Sequence, residues 1–92
     1  MKAELLYHSK KVEPNGDTIE IKIWKVPVTE DTPSGVKYSL VFIRGGNRVI
    51  GYDNAERKGD HRHIGDKIFP YKFITVKKLF EDFYKDLEEA QK

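Results

Sequence analysis

Between Gly51 and Gly65 the chain gathers His61, His63, Arg57, Lys58, Arg62, Asp60 and Tyr52 with almost no apolar residue among them. A segment that merely joined two strands would be shorter and blander. Glycines at 59 and 65 let its backbone turn sharply and approach a ligand closely. If Asp60 to Ile64 is extended, side chains alternate, so His61 and His63 share one face and Asp60 and Arg62 the other.

Two imidazoles on one face suit two chemistries. As general acid and base they cleave a phosphodiester, with Arg57, Lys58 or Arg62 on the phosphate. The RNA 2′-hydroxyl is then the internal nucleophile, and no metal or other cofactor is required. Asp60 would orient an imidazole by accepting its N–H, and Tyr52 would help to position substrate. Alternatively the two histidines ligate a divalent metal, with Asp60 or Asp53 as a third ligand. The bland alternative pairs Asp60 with Arg62 or Lys58 and leaves both imidazoles in water. Elsewhere, His8 reads as a surface residue, and Trp24, off the isoleucine face, reads as a second-face core residue or, less simply, an exposed contact. Tyr71 and Phe73 read as packing residues, although Lys67 and Lys72 beside them would also suit stacking on bases. The sequence has no Gly-rich phosphate loop, Ser-His-Asp arrangement or zinc-binding helix motif. It has no cysteine, which excludes disulfides, thiolate zinc sites and cysteine nucleophiles.

The elements that must position these groups are legible in part. Leu5 to Val12 reads as a strand ended by Pro14-Asn15-Gly16-Asp17, where Asn-Gly tolerates the positive φ of a tight hairpin. Thr18 to Trp24 alternates polar and apolar, with Ile19, Ile21 and Ile23 on one face. Residues 27–35 form a loop rich in proline and acid. Tyr38 to Ile43 is apolar on both faces toward its end, as a central strand would be. Arg44-Gly45-Gly46-Asn47 is a second turn, leading into a strand from Arg48 to Asp53. Asn54 to Asp66 reads as a long loop or irregular hairpin arm, and Ile68 to Phe73 as a short edge segment limited by Pro70.

Thr75 is a suitable N-cap for a helix, and Ile74 before it is placed to staple onto Leu79. Val76, Leu79, Phe80, Phe83 and Leu87 recur at helical spacing and form one apolar stripe, most simply the face that covers the sheet. The expected architecture is α+β: an antiparallel meander of about four to five strands with one C-terminal helix packed across it.

At 92 residues the chain suits a single domain, 1–92, which buries roughly 60–65% of its unfolded surface. No apolar run resembles a signal peptide or a membrane span, so a cytoplasmic location is expected, without membrane contact. Seventeen basic residues oppose fifteen acidic ones, a net charge of +2. The middle of the chain is basic, whereas Glu81, Asp82, Asp86, Glu88 and Glu89 make the end acidic. This polarity permits a nucleic-acid partner without demanding one.

The block Val49-Ile50-Gly51-Tyr52-Asp53-Asn54, then Lys58-Gly59-Asp60-His61-Arg62-His63, follows an Ile-x-Ile-Trp-x-Val-Pro strand from Ile21 to Pro27. With Pro70-Tyr71-x-Phe73 and Leu79-Phe80-x-Asp82-Phe83, it resembles the TumE family over nearly the whole chain. These are small prokaryotic proteins described as the toxin half of toxin–antitoxin pairs. The resemblance implies a cognate antitoxin, a small DNA-binding protein encoded next door. Many small toxins of this size are RNases, so by analogy of class RNA is the expected substrate. The expected activity is therefore that of a metal-independent endoribonuclease. The alternative is a non-catalytic RNA- or protein-binding module neutralised by the antitoxin. Exposed strand edges also make a homodimer an open expectation.

Overall fold

A computed structural model describes residues 3–54 and 59–92. Six strands run in chain order, β1 (Glu4–Val12), β2 (Thr18–Lys25), β3 (Val36–Arg44), β4 (Asn47–Asp53), β5 (His61–Ile64) and β6 (Lys67–Pro70), followed by helix α1 (Val76–Ala90). Each strand pairs antiparallel with the next, so spatial order equals sequence order. The α+β meander is as expected, with six strands instead of four to five.

The additional pairing comes from the stretch read as a long loop or irregular hairpin arm, and a hairpin arm is what its end forms. His61–Ile64 is a short strand hydrogen-bonded on both sides, and its hairpin partner begins at Lys67. Pro70 lies at the end of edge strand β6, where a missing N–H costs least. At the β3–β4 turn, Gly45 and Gly46 both have positive φ, 59° and 78°, the conformation a two-residue hairpin demands.

Alternation along β2, β3 and β4 sends Ile21, Ile23, Tyr38, Leu40, Phe42, Ile50 and Tyr52 to one side. There they meet Leu79, Phe83 and Leu87 of α1, all buried, so the apolar stripe of the helix is indeed the sheet cover. Thr75 caps the helix by accepting from the Lys78 N–H at 3.0 Å. Ile74, expected to staple onto Leu79, stays 61% exposed. Tyr71 and Phe73 pack as expected: Tyr71 meets Tyr52 edge-on and Phe73 stacks on Tyr38.

Among the described residues, no helix lies on the opposite face of the sheet. Trp24, expected in the core, pairs with Lys37 and Leu5 on this open face and is only half-buried. Its β2 neighbours Ile23 and Lys25 take the other side, because strand side chains alternate.

Candidate active site

Strands β4 and β5 fix the site. Their register sets Asp53 opposite His61, Tyr52 opposite Arg62, and Gly51 opposite His63. Period two then sends His61, His63, Asp53 and Gly51 to the open face, and Tyr52 and Arg62 to the helix face. The two imidazole rings lie 6.2 Å apart, centroid to centroid, and tilted by 59°.

His63 is held at both ends. Its Nε2 lies 3.2 Å from Asp53 Oδ2, and its Nδ1 lies 3.0 Å from Arg48 Nη2. A guanidinium only donates, so Nδ1 accepts and the ring proton sits on Nε2, the nitrogen nearer the carboxylate. Arg48 reaches this position by lying across Gly51: a Cβ on Gly51 would fall 2.8 Å from Arg48 Cδ. Gly51 is thus the notch through which an arginine on β4 crosses to β5.

The other residues proposed from the sequence divide differently. Asp60 turns away from the imidazoles, its Oδ2 accepting from the Tyr38 hydroxyl at 2.5 Å. The carboxylate beside an imidazole is that of Asp53. Arg62 donates to both oxygens of Asp86 on α1, at 2.7 and 2.8 Å, and to the Tyr52 hydroxyl at 3.0 Å. Tyr52 itself is buried and donates to Asp86 at 2.5 Å. Arg62 and Tyr52 therefore lock β5 to the helix from the side opposite His61 and His63. Arg57 and Lys58 lie outside the described residues.

Two residues of the open-face group escaped the sequence reading. Asp53 entered it only as a candidate metal ligand and the end of a strand, and Arg48 only as the first residue of that strand. A glycine inside a strand is a sign of close approach, and Gly51 carried that sign.

Electrostatics separate the two faces. Burial, then the bond to Asp60, pushes the Tyr38 phenol well above its usual range. Burial and Asp86 do the same for Tyr52, and burial and Asp82 for Tyr71. Hydrogen bonding to Asp86 raises Arg62 further, so all four remain proton donors at neutral pH. On the open face, His8 bonds to Glu20 at 3.0 Å and holds that carboxyl below its usual range. Among the described residues no three His, Asp or Glu side chains converge as a metal-binding group.

A six-stranded open sheet with one helix, its free face bearing His61, His63, Asp53 and Arg48 among other polar groups, defines a small α+β protein with one covered and one polar face. A family model described as Toxin TumE matches residues 2–91, and the chain belongs to that family. Searches of curated proteins and of solved structures find no match. A toxin family implies, in general, an antitoxin partner. Among the described residues no helix is long and apolar enough to cross a membrane.

Proposed function

We propose that this protein is the toxin of a toxin–antitoxin pair and a metal-independent endoribonuclease, with His61 and His63 as its acid–base pair. The observation that carries the reading is the joint presence of both imidazoles on an uncovered face, one of them clamped between Asp53 and Arg48.

Arg48 covers Nδ1 of His63 in the resting protein. A phosphate that draws the guanidinium toward itself, as a bidentate partner, frees that nitrogen. Nδ1 then takes the proton of the RNA 2′-hydroxyl while the 2′-oxygen attacks phosphorus. His61, protonated, delivers its proton to the departing 5′-oxygen as the P–O bond breaks. The products are a 2′,3′-cyclic phosphate and a 5′-hydroxyl. Asp53 holds the Nε2 proton of His63 and stabilises the imidazolium formed at the base. Arg48 bears on the negative charge developing on the phosphoryl oxygens. Arg57 and Lys58 belong to the same proposal as further phosphate contacts. Arg62, Tyr52 and Asp60 serve it indirectly, by fixing the strand that carries the imidazoles.

The test is cleavage of RNA by the pure protein with and without EDTA, beside growth arrest on expression. Cleavage indifferent to EDTA, ending in cyclic phosphates, is expected. The variant His61→Ala/His63→Ala should lose at least about a hundredfold in kcat while keeping its melting temperature. Loss of cleavage in EDTA would move the chemistry to a metal. RNA binding without cleavage would leave a non-catalytic module. A folded double variant that still arrests growth refutes the role of the histidines.

A further inference from the structure

The strand registers place more than the two histidines on the open face. Reading across the sheet, His61 is opposite Asp53, Asp53 opposite Ser39, Ser39 opposite Lys22, and Lys22 opposite His8. One polar row thus crosses five strands, and at about 4.8 Å per strand it is about 19 Å long. The next row along β2 and β3 holds Trp24 opposite Lys37, with the Lys37 ammonium 6.0 Å from the Trp24 ring centroid. None of these side chains is needed by the core, which lies wholly on the other side.

We infer that this row is a track for single-stranded RNA, leading from the His61–His63 centre across β4, β3 and β2 to Trp24, which stacks on a base. The inference rests on the nuclease reading for its choice of ligand. Charge favours a polyanion: Lys10, Lys22, Lys37 and Arg48 on this face outnumber Glu20 and Asp53. Both carboxylates are already engaged, Glu20 by His8 and Lys22, and Asp53 by His63 and Arg48. A half-buried indole on an open, basic sheet face gives any base a π-face, and stacking of this kind tolerates sequence. Lys22 and Lys37 flank it at positions suited to the backbone phosphates on either side. A protein partner on the same face would instead cover Val41 and Ile43, which lie beyond the row.

Trp24 is the single tryptophan of the chain, so its fluorescence reports on this face alone. The experiment titrates a short oligouridylate into His61→Ala/His63→Ala protein, which keeps the track from β4 to Trp24 and spares the ligand. Saturable quenching is expected, weakened about tenfold in Lys22→Ala/Lys37→Ala and steeply reduced by salt. In the otherwise native protein, Trp24→Ala should raise KM for RNA about tenfold with kcat retained, and Trp24→Phe should restore it. Quenching without any cleavage by the native protein would sink the nuclease reading and leave the track standing. Cleavage with KM indifferent to Trp24→Ala and to the lysine pair would overturn the track and spare the nuclease. Quenching by the purified antitoxin but not by the oligonucleotide would make this face a protein interface and also overturn the track.

Discussion

Gly51 decides whether Arg48 can reach His63. Its φ lies outside the left-handed region, so alanine fits the backbone there, but the added Cβ would lie 2.8 Å from Arg48 Cδ and 3.3 Å from Nε. The arginine stem is flexible and yields first, leaving its bond to Nδ1. By misplacing the guanidinium that is to bear on the phosphate, Gly51→Ala should lower kcat/KM for RNA about a hundredfold, as Arg48→Ala should, with the melting temperature nearly unchanged. The two substitutions remove one interaction, so the double variant should be no worse than either alone. Native cleavage rates in Gly51→Ala would remove Arg48 from the mechanism. The imidazole pair was legible in the sequence because His-x-His in extended chain admits only one arrangement of faces. The Arg48 contact was not, because it depends on a missing side chain three residues away.

At the scale of elements, β5 is the member that needs explanation. His-Arg-His-Ile offers little apolar surface, and a four-residue strand has few ladder bonds. What fixes it is polar and lies on its helix side. Arg62 grips Asp86, Tyr38 holds Asp60 just before the strand, and the Tyr71 N–H donates to the Asp60 carbonyl at 3.0 Å. Asp86→Ala would leave Arg62 and the Tyr52 hydroxyl without their shared acceptor. Because Arg62 remains 35% exposed, water recovers part of the loss, and destabilisation of about 1–3 kcal/mol in urea unfolding is expected. Asp86→Asn, which keeps an acceptor, should cost less. Equal stability of Asp86→Ala and the native chain would show that β5 is held by its ladder alone. This polar fastening explains the limits of sequence reading here. Strands β1 to β4 and the helix announced themselves through apolar periodicity or turn residues. The β5–β6 hairpin has a turn glycine, Gly65, but no apolar alternation, since β5 spends its open face on imidazoles and β6 is exposed along its whole length. Trp24 misled for a related reason: a large aromatic reads as core unless the free face of the sheet is known.

Taken as a whole, the molecule is one sheet with its core on one face and the proposed reactive groups on the other, and pH should separate the two. Burial foremost, then bonds to Asp60, Asp86 and Asp82, raises Tyr38, Tyr52 and Tyr71 above the ordinary phenol value near 10. In the unfolded chain these phenols ionise near 10; in the folded chain they do so only at higher pH. A folded value above the unfolded one contributes stability that is complete below pH 10 and drains away as pH rises beyond it. On the acid side, burial works to raise Asp82, but hydrogen bonds from Tyr71 and Lys78 outweigh it and leave the carboxyl lowered. Its contribution is present above the unfolded carboxyl value, about 4, and is lost as pH falls through the folded one. The melting temperature should therefore be flat between roughly pH 5 and 9 and fall on both sides. Tyr38→Phe removes one of the three phenols and should make the alkaline fall shallower, at a cost of about 1–3 kcal/mol at neutral pH. His61→Ala/His63→Ala, confined to the open face, should leave the alkaline limb superimposable on the native one. Melting curves of the three proteins from pH 7 to 11 decide the matter. If the histidine variant alters the alkaline limb while Tyr38→Phe does not, the two faces are coupled and the division of labour proposed for them fails.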